Sequence, residues 1–181
     1  GHAGTVPMHL RQDAIVAFSH MSIAINEIAK KHGIVATVGF VENAPNAVNV
    51  IASRTQFSLD IRAEKDIDRD NALSEIESTL DELAKTHNVT LAWQQTHSAP
   101  AVACDEKLQT LLADAVEESG IKPLRLFSGA GHDAMEIANI CPMAMLFVRC
   151  KEGISHHPDE AILVDDVAHS LAVLEKFIGK L

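Results

Sequence analysis

Val35-Ala36-Thr37-Val38-Gly39-Phe40-Val41, then Asn43-Ala44-Pro45-Asn46, then Ala47-Val48-Asn49-Val50-Ile51-Ala52 and Gln56-Phe57-Ser58-Leu59-Asp60-Ile61 is the stretch that decides the fold. Its β-branched and aromatic residues suit a pleated, half-buried surface, and the Asn/Pro cluster is a turn signal. It predicts extended segments, with Ser53-Arg54 as a tight connection between the last two. On either side the apolar period changes to that of a helix. Arg11 to Lys31 carries Ile15, Phe18, Ile23, Ile25 and Ile28, and closes on Lys30-Lys31-His32-Gly33, where basic residues before a glycine predict a helix stop. Asp66 to His87 places Ile67, Leu73, Ile76, Leu80 and Leu83 on one stripe with charges opposite. Val89 to Thr96 alternates as a strand. The order helix, strand, strand, helix, strand is an α+β pattern that lacks only a leading strand, just before Gly1, to make a ferredoxin-like βαββαβ sandwich.

Near Ser98-Ala99-Pro100 the pattern changes, which sets expected boundaries of 1–98 and 99–181. Glu106 to Ser119 reads as a helix stopping at Gly120. Leu124 to Phe127 reads as a short strand delivering Ser128-Gly129-Ala130-Gly131-His132-Asp133 into a helix from Ala134 to Asn139. Pro142 to Val148 is a further expected strand, and Val164 to Ile178 a closing helix with Asp165 and Asp166 in its first turn, where the helix dipole favours acids. These strands are too few for a sheet of their own, so the segment reads as the C-terminal piece of a larger α/β domain, with apolar surface left exposed. The chain also opens without methionine inside what reads as a working loop, Gly1-His2-Ala3-Gly4-Thr5-Val6-Pro7-Met8, which points to a piece of a longer protein or to a Gly-His tag remnant.

With 181 residues, 47% of them hydrophobic, the chain has material for a core, and its net charge of −10 argues against nucleic acid or an acidic membrane as partner. No run approaches the roughly 18 to 20 apolar residues of a membrane span. Three cysteines, Cys104, Cys141 and Cys150, are an odd number without CxxC spacing; they read as reduced, buried thiols of a cytoplasmic protein.

Five places carry chemistry-bearing side chains. In Gly153-Ile154-Ser155-His156-His157-Pro158-Asp159-Glu160, two imidazoles stand on a loop after an apolar strand, suited to a metal or a proton and equally to plain solvation. In Ser128 to Asp133 small residues admit a close ligand or simply make a tight turn, with Asp133 expected as a helix cap. Asn49 lies between valines, so a buried amide there needs a backbone or substrate partner. Arg62 ends a strand, where it pairs with Asp60 or Glu64 or clamps a carboxylate. For His2 and Arg11 solvent exposure is the default.

Taken in order, Gly1 to Met8 with Arg11 and Asp13, Pro45-Asn46-Ala47-Val48-Asn49-Val50-Ile51, Leu59-Asp60-Ile61-Arg62, Ser128 to Ala134, and Gly153-Ile154-Ser155-His156 with Pro158 and Glu160 resemble the M20 metallopeptidase-like amidohydrolases. Within that family the branch of allantoate amidohydrolases and N-carbamoyl-L-amino acid hydrolases is the most similar. The resemblance implies a lid that also dimerises, followed by the C-terminal part of a zinc-hydrolase-type catalytic domain. It implies that His156 is a metal ligand while His157 is not, that His2 steadies an oxyanion in the neighbouring subunit of a homodimer, that Asn49 and Arg62 bind substrate with the arginine on its carboxylate, and that Gly131 and His132 line the pocket. Two divalent metals, zinc or manganese, belong to the family's centre, yet its other ligands and its general base lie before the lid. The chain alone is therefore expected to bind no complete metal pair and to be inactive. The implied reaction is hydrolysis of a ureido or amide C–N bond in a small carboxylate substrate. The competing readings are a non-catalytic dimerisation or ligand-binding module, and a dipeptidase or aminoacylase of the same superfamily.

Overall fold

The computed structural model describes all 181 residues and forms two compact units, Gly1–Ala101 and Val102–Leu181. The fold is mixed α/β, with five α-helices and two short antiparallel sheets. In the first unit, α1 (Ala14–His32) begins where the Asp13 carboxylate accepts from the amides of Ile15 and Val16. It ends at Gly33, whose left-handed φ of 66° lets the Ile34 amide reach back to the Ala29 carbonyl. The strands β1 (Val35–Thr37), β2 (Val41–Ala44), β3 (Arg54–Phe57) and β4 (Asp60–Arg62) follow, then α2 (Asp66–Thr86). Asn88, at φ 52°, closes α2 as Gly33 closes α1, with the Val89 amide on the Ala84 carbonyl.

The four strands are one long hairpin interrupted on both sides. β1 pairs with β4 through Val35↔Arg62 to Thr37↔Asp60, and β2 pairs with β3 through Val41↔Phe57 to Ala44↔Arg54. Val38, Gly39 and Phe40 are thus left opposite Ser58 and Leu59, a bulge with one extra residue. Ser58 bridges the gap: its amide donates to the Phe40 carbonyl and its hydroxyl accepts from the Phe40 amide. Alternate residues of the hairpin, Ala36, Val38, Phe57, Leu59 and Ile61, turn one face to the two helices and pack on Met21, Ile25, Ile28, Ile76 and Leu80.

Several expectations change. The buried stripe of α1 is Ala17, Met21, Ile25 and Ile28, whereas Ile15 and Ile23 are exposed; on α2 it is Ala72, Ile76, Leu80 and Ala84, with Ile67 exposed. Each stripe mixes small and large residues, alanines beside Met21, Ile25 and Ile28 on α1 and beside Ile76 and Leu80 on α2. Ala47 to Ala52 is a loop rather than a strand, joined to Gly1–Ala3 through an isolated bridge between His2 and Val50. Val89 to Thr96 keeps its alternation as burial, with Val89 and Leu91 packed on the core, but carries no ladder hydrogen bonds.

In the second unit α3 (Glu106–Glu117), the four-residue α4 (Ala134–Ile137) and α5 (Val164–Ile178) are the helices. Lys176 and Lys180 of α5 bind the end of α3: Lys176 Nζ donates to the Glu118 carbonyl at 2.7 Å and Lys180 Nζ to the Glu118 carboxylate at 2.7 Å. Cations at a helix C-terminus are favoured by its dipole, and the Lys180 ammonium holds the Glu118 carboxyl below its usual range. The expected strands Leu124–Phe127 and Pro142–Val148 belong to no sheet. Strands are held by neighbours, and this unit offers none, so Leu124 stays 77% and Leu126 64% exposed. None of the three cysteines is fully buried, and Cys141 is exposed. No helix is long and apolar enough to cross a membrane.

Candidate functional site

Within the first unit the structure brings the backbone segments of His2 and Asn49 together, with His2 opposite Val50. The Ala3 amide donates to the Asn49 carbonyl at 2.8 Å and the Ile51 amide to the Gly1 carbonyl at 2.9 Å, so Gly1–Ala3 and Asn49–Ile51 run side by side. His2 is exposed, and its Nδ1 accepts from the Gly4 amide at 3.0 Å. An Nδ1 that accepts carries no proton, so the neutral imidazole keeps its proton on Nε2 as an outward donor. Asn49 is exposed rather than buried, and Val48 beside it is fully exposed, because the segment is the outer rim of a loop. Its amide therefore needs no internal partner.

Arg62 lies at the other end of the hairpin. Its Nε and Nη2 donate to the two carboxylate oxygens of Asp60 at 2.9 and 2.6 Å, a fork on a fork. The guanidinium bond holds the Asp60 carboxyl below its ordinary range, and Asp60 in turn raises Arg62. From Arg54, next to the loop, to Arg62 the hairpin runs eight residues, roughly 25 Å at a strand rise of about 3.3 Å per residue. The loop that carries Asn49 and the side chain of Arg62 thus lie at opposite ends of the hairpin.

In the second unit His132 Nε2 lies 2.7 Å from Ser128 Oγ, and its ring meets the edge of Phe147 at 5.8 Å. A Cβ added at Gly131 would meet nothing within 4 Å, so the loop is open at that point. Asp133 does not cap α4 with its side chain; its own backbone is helical, which turns the carboxylate away from the first-turn amides. His156 is exposed and left-handed at φ 56°, with its amide donating to Glu160 Oε2 at 2.9 Å. His157 is occupied locally, its Nδ1 accepting from the Asp159 amide. No group of three or more His, Cys, Asp or Glu side chains is arranged to hold a metal ion. His156 alone does not fit a two-metal centre, which needs several nitrogen and oxygen donors. A shallow depression of about 410 Å³ lined by Ala103, Asp105, Ile140 and Met143 includes none of the predicted site residues.

Arg11 departs from the solvent exposure expected of it. It is half-buried and binds the opening loop, with Nε on the Val6 carbonyl at 3.0 Å and Nη2 on the Ala3 carbonyl. Ser128 and Glu160, which hold His132 and the His156 backbone, were legible only as members of their motifs.

A model of peptidase family M20/M25/M40 matches residues 3–180. The chain is 36% identical over 181 residues to the N-carbamoyl-L-amino acid amidohydrolase of Geobacillus stearothermophilus, covering 99% of this chain and 44% of that one. It is 34% identical over 210 residues to a probable allantoate deiminase of Oryza sativa subsp. japonica, covering 99% and 43%. An amidase of the hydantoinase/carbamoylase family from Burkholderia multivorans, a solved structure, is similar with a TM-score of 0.95 at 30% identity, covering 98% of this chain and 44% of that one. The chain spans less than half the length of these relatives.

Proposed function

The chain belongs to peptidase family M20/M25/M40, and on that premise we propose that it is part of an amidohydrolase that cleaves a ureido or amide C–N bond in a small carboxylate substrate. The first unit is the lid, a ferredoxin-like sandwich whose fifth element is Val89–Thr96, and the second is the C-terminal part of the catalytic domain. Arg62 takes the substrate carboxylate, and Asn49 donates from its amide. His2, with its proton on Nε2, donates to the oxygen that gains charge as the carbonyl or ureido carbon is attacked. Gly131 and His132 line the pocket. The family's two divalent metals, zinc or manganese, would supply the activated water, and His156 is the one ligand this chain offers to them. The remaining ligands are not among its residues, so the chain by itself is inactive.

The observation that carries the reading is the family match over residues 3–180, and the hairpin supports it by setting the loop of His2 and Asn49 at one end and Arg62 at the other. Groups at opposite ends of one hairpin can meet at a common substrate when two copies each contribute one end, which supports a homodimer formed through the lid. The acidic net charge and the three free thiols support a cytoplasmic enzyme without nucleic-acid or membrane partners.

The test is ammonia release from N-carbamoyl-L-amino acids and allantoate by the complete protein and by the 181-residue chain. Hydrolysis by the first and none by the second is the expected result. Cleavage of dipeptides or N-acyl amino acids in place of ureido compounds would move the protein to the peptidase or aminoacylase class, and no hydrolysis at all would leave a binding module.

A further inference from the structure

The loop that carries His2 is closed with unusual economy. The His2 carbonyl accepts from the amides of Thr5 and Val6, at 3.2 and 3.3 Å. A Cβ added at Gly1 would lie 2.9 Å from Val6 Cγ2, so the two ends of the loop meet closely and a larger residue there would make the Val6 side chain shift. A Cβ added at Gly4 would lie 3.3 Å from His2 Cε1 and 3.4 Å from Nδ1, so the bare Gly4 backbone is the bed on which the imidazole rests. Two carbonyls of this loop, Ala3 and Val6, point to the same guanidinium, that of Arg11, which approaches from the segment leading into α1. Arg11 joins the exposed opening loop to the start of α1, where Asp13 two residues on caps the helix and the Ala14 amide donates to the Ala52 carbonyl.

We propose that Arg11 is a positioning residue: by holding the carbonyls of Ala3 and Val6 it keeps the loop closed, so that His2 rests on the Gly4 amide through Nδ1 and presents Nε2–H in one direction. The proposal rests on the reading of His2 as a donor to the reacting oxygen, and deepens it. Arginine is suited to the task because its planar fork satisfies two acceptors at once with little loss of side-chain freedom, whereas the single ammonium of lysine is a point charge on a flexible stem. An exposed imidazole without this support would sample both tautomers and several rotamers, and a donor displaced by about 1 Å costs on the order of 10²-fold in rate.

The experiment uses the 181-residue chain labelled with ¹⁵N-histidine, with the His2 signals assigned by His2→Gln. At about pH 8, where imidazoles are neutral, long-range ¹H–¹⁵N spectra distinguish a protonated from a bare Nδ1. His2 should show a bare Nδ1 and a protonated Nε2. Arg11→Met should shift it to a mixture of tautomers, Arg11→Lys should fall between, and Gly4→Ala should give the same mixture without touching Arg11. An unchanged His2 pattern in Arg11→Met overturns the proposal; if that variant does not fold, an unchanged pattern in Arg11→Lys does so. In the complete enzyme, Arg11→Met should lower kcat by about tenfold to 10²-fold with little change in KM, and should cost nothing further in a His2→Ala background. Losses that multiply in the double variant count against positioning. If His2→Ala leaves hydrolysis untouched while the tautomer shift appears, positioning stands and the catalytic reading of His2 falls.

Discussion

Replacing Arg62 by alanine tests substrate selection most directly. The guanidinium is a donor fork at the end of β4, held by both oxygens of Asp60. A hydrogen bond between charged groups contributes about 1.5–3 kcal/mol when sheltered. The Arg62 side chain is 47% and that of Asp60 54% exposed, so solvent screening reduces the value of any further carboxylate bond. About 1.4 kcal/mol, or about tenfold in KM, is the expected loss for a substrate that carries a carboxylate. For an analogue with a neutral carboxamide in its place the change should stay within about twofold, because the lost interaction is absent from the start. Folding should be little affected, as an exposed pair contributes only about 0.2–1 kcal/mol. The assay is steady-state hydrolysis by the complete protein, with an N-carbamoyl-L-amino acid and its amide compared in both enzymes. Equal losses on the two substrates would refute the clamp and leave Arg62 as a partner of Asp60.

The core of the first unit rests on α1 and α2, so Leu80→Ala, at a fully buried position, should lower unfolding stability by about 2–5 kcal/mol. Trp93, whose ring lies 6.1 Å from that of Phe57, provides the fluorescence signal for a urea titration; a change below about 1 kcal/mol would show the site able to collapse. Asp13→Ala removes the acceptor for two first-turn amides of α1 and should cost about 1 kcal/mol by the same titration, with Asp13→Asn close to neutral. The Glu75 carboxyl is held below its ordinary value, first by His32 and then by Lys31. Its contribution to stability is therefore complete above the unfolded carboxyl value of about 4.3 and is lost as pH falls through the lower folded value. Glu75→Gln should flatten the acid limb of a plot of melting temperature against pH, and an unchanged limb would assign it to other carboxylates.

Much of the molecule was legible one residue at a time. Helix stops followed from local chemistry: Gly33 ends α1 because a glycine accepts a left-handed φ wherever the helix is later packed, whereas the start, read at Arg11, lies at the Asp13 cap. The closing helix α5 ran over Val164–Ile178 as its periodicity predicted, and the motif order pointed to the family that the comparison with known proteins shows. Which face of a helix is buried was not local. Ile15 and Ile23 are as apolar as Ile25, and the approach of α2 and of the hairpin selected Ala17, Met21, Ile25 and Ile28 as the inner stripe. The same holds for strands: Leu124–Phe127 and Pro142–Val148 have the residues of strands, but a ladder is a property of two segments and nothing within the chain pairs with them.

The residue types of the site were determined by sequence, because an imidazole, an amide or a guanidinium has its chemistry wherever it stands. Their arrangement was decided by the tertiary structure. Pairing of Gly1–Ala3 with Asn49–Ile51 set His2 opposite Val50, on the segment that carries Asn49, across a separation in sequence that no periodicity spans. The register of the hairpin sent Arg62 to its far end, and the Arg11 fork closed the loop whose backbone holds the His2 ring. Hydrogen bonds between distant backbone segments depend on geometry that composition does not encode, and so the distances between functional groups emerged only when the chain had folded.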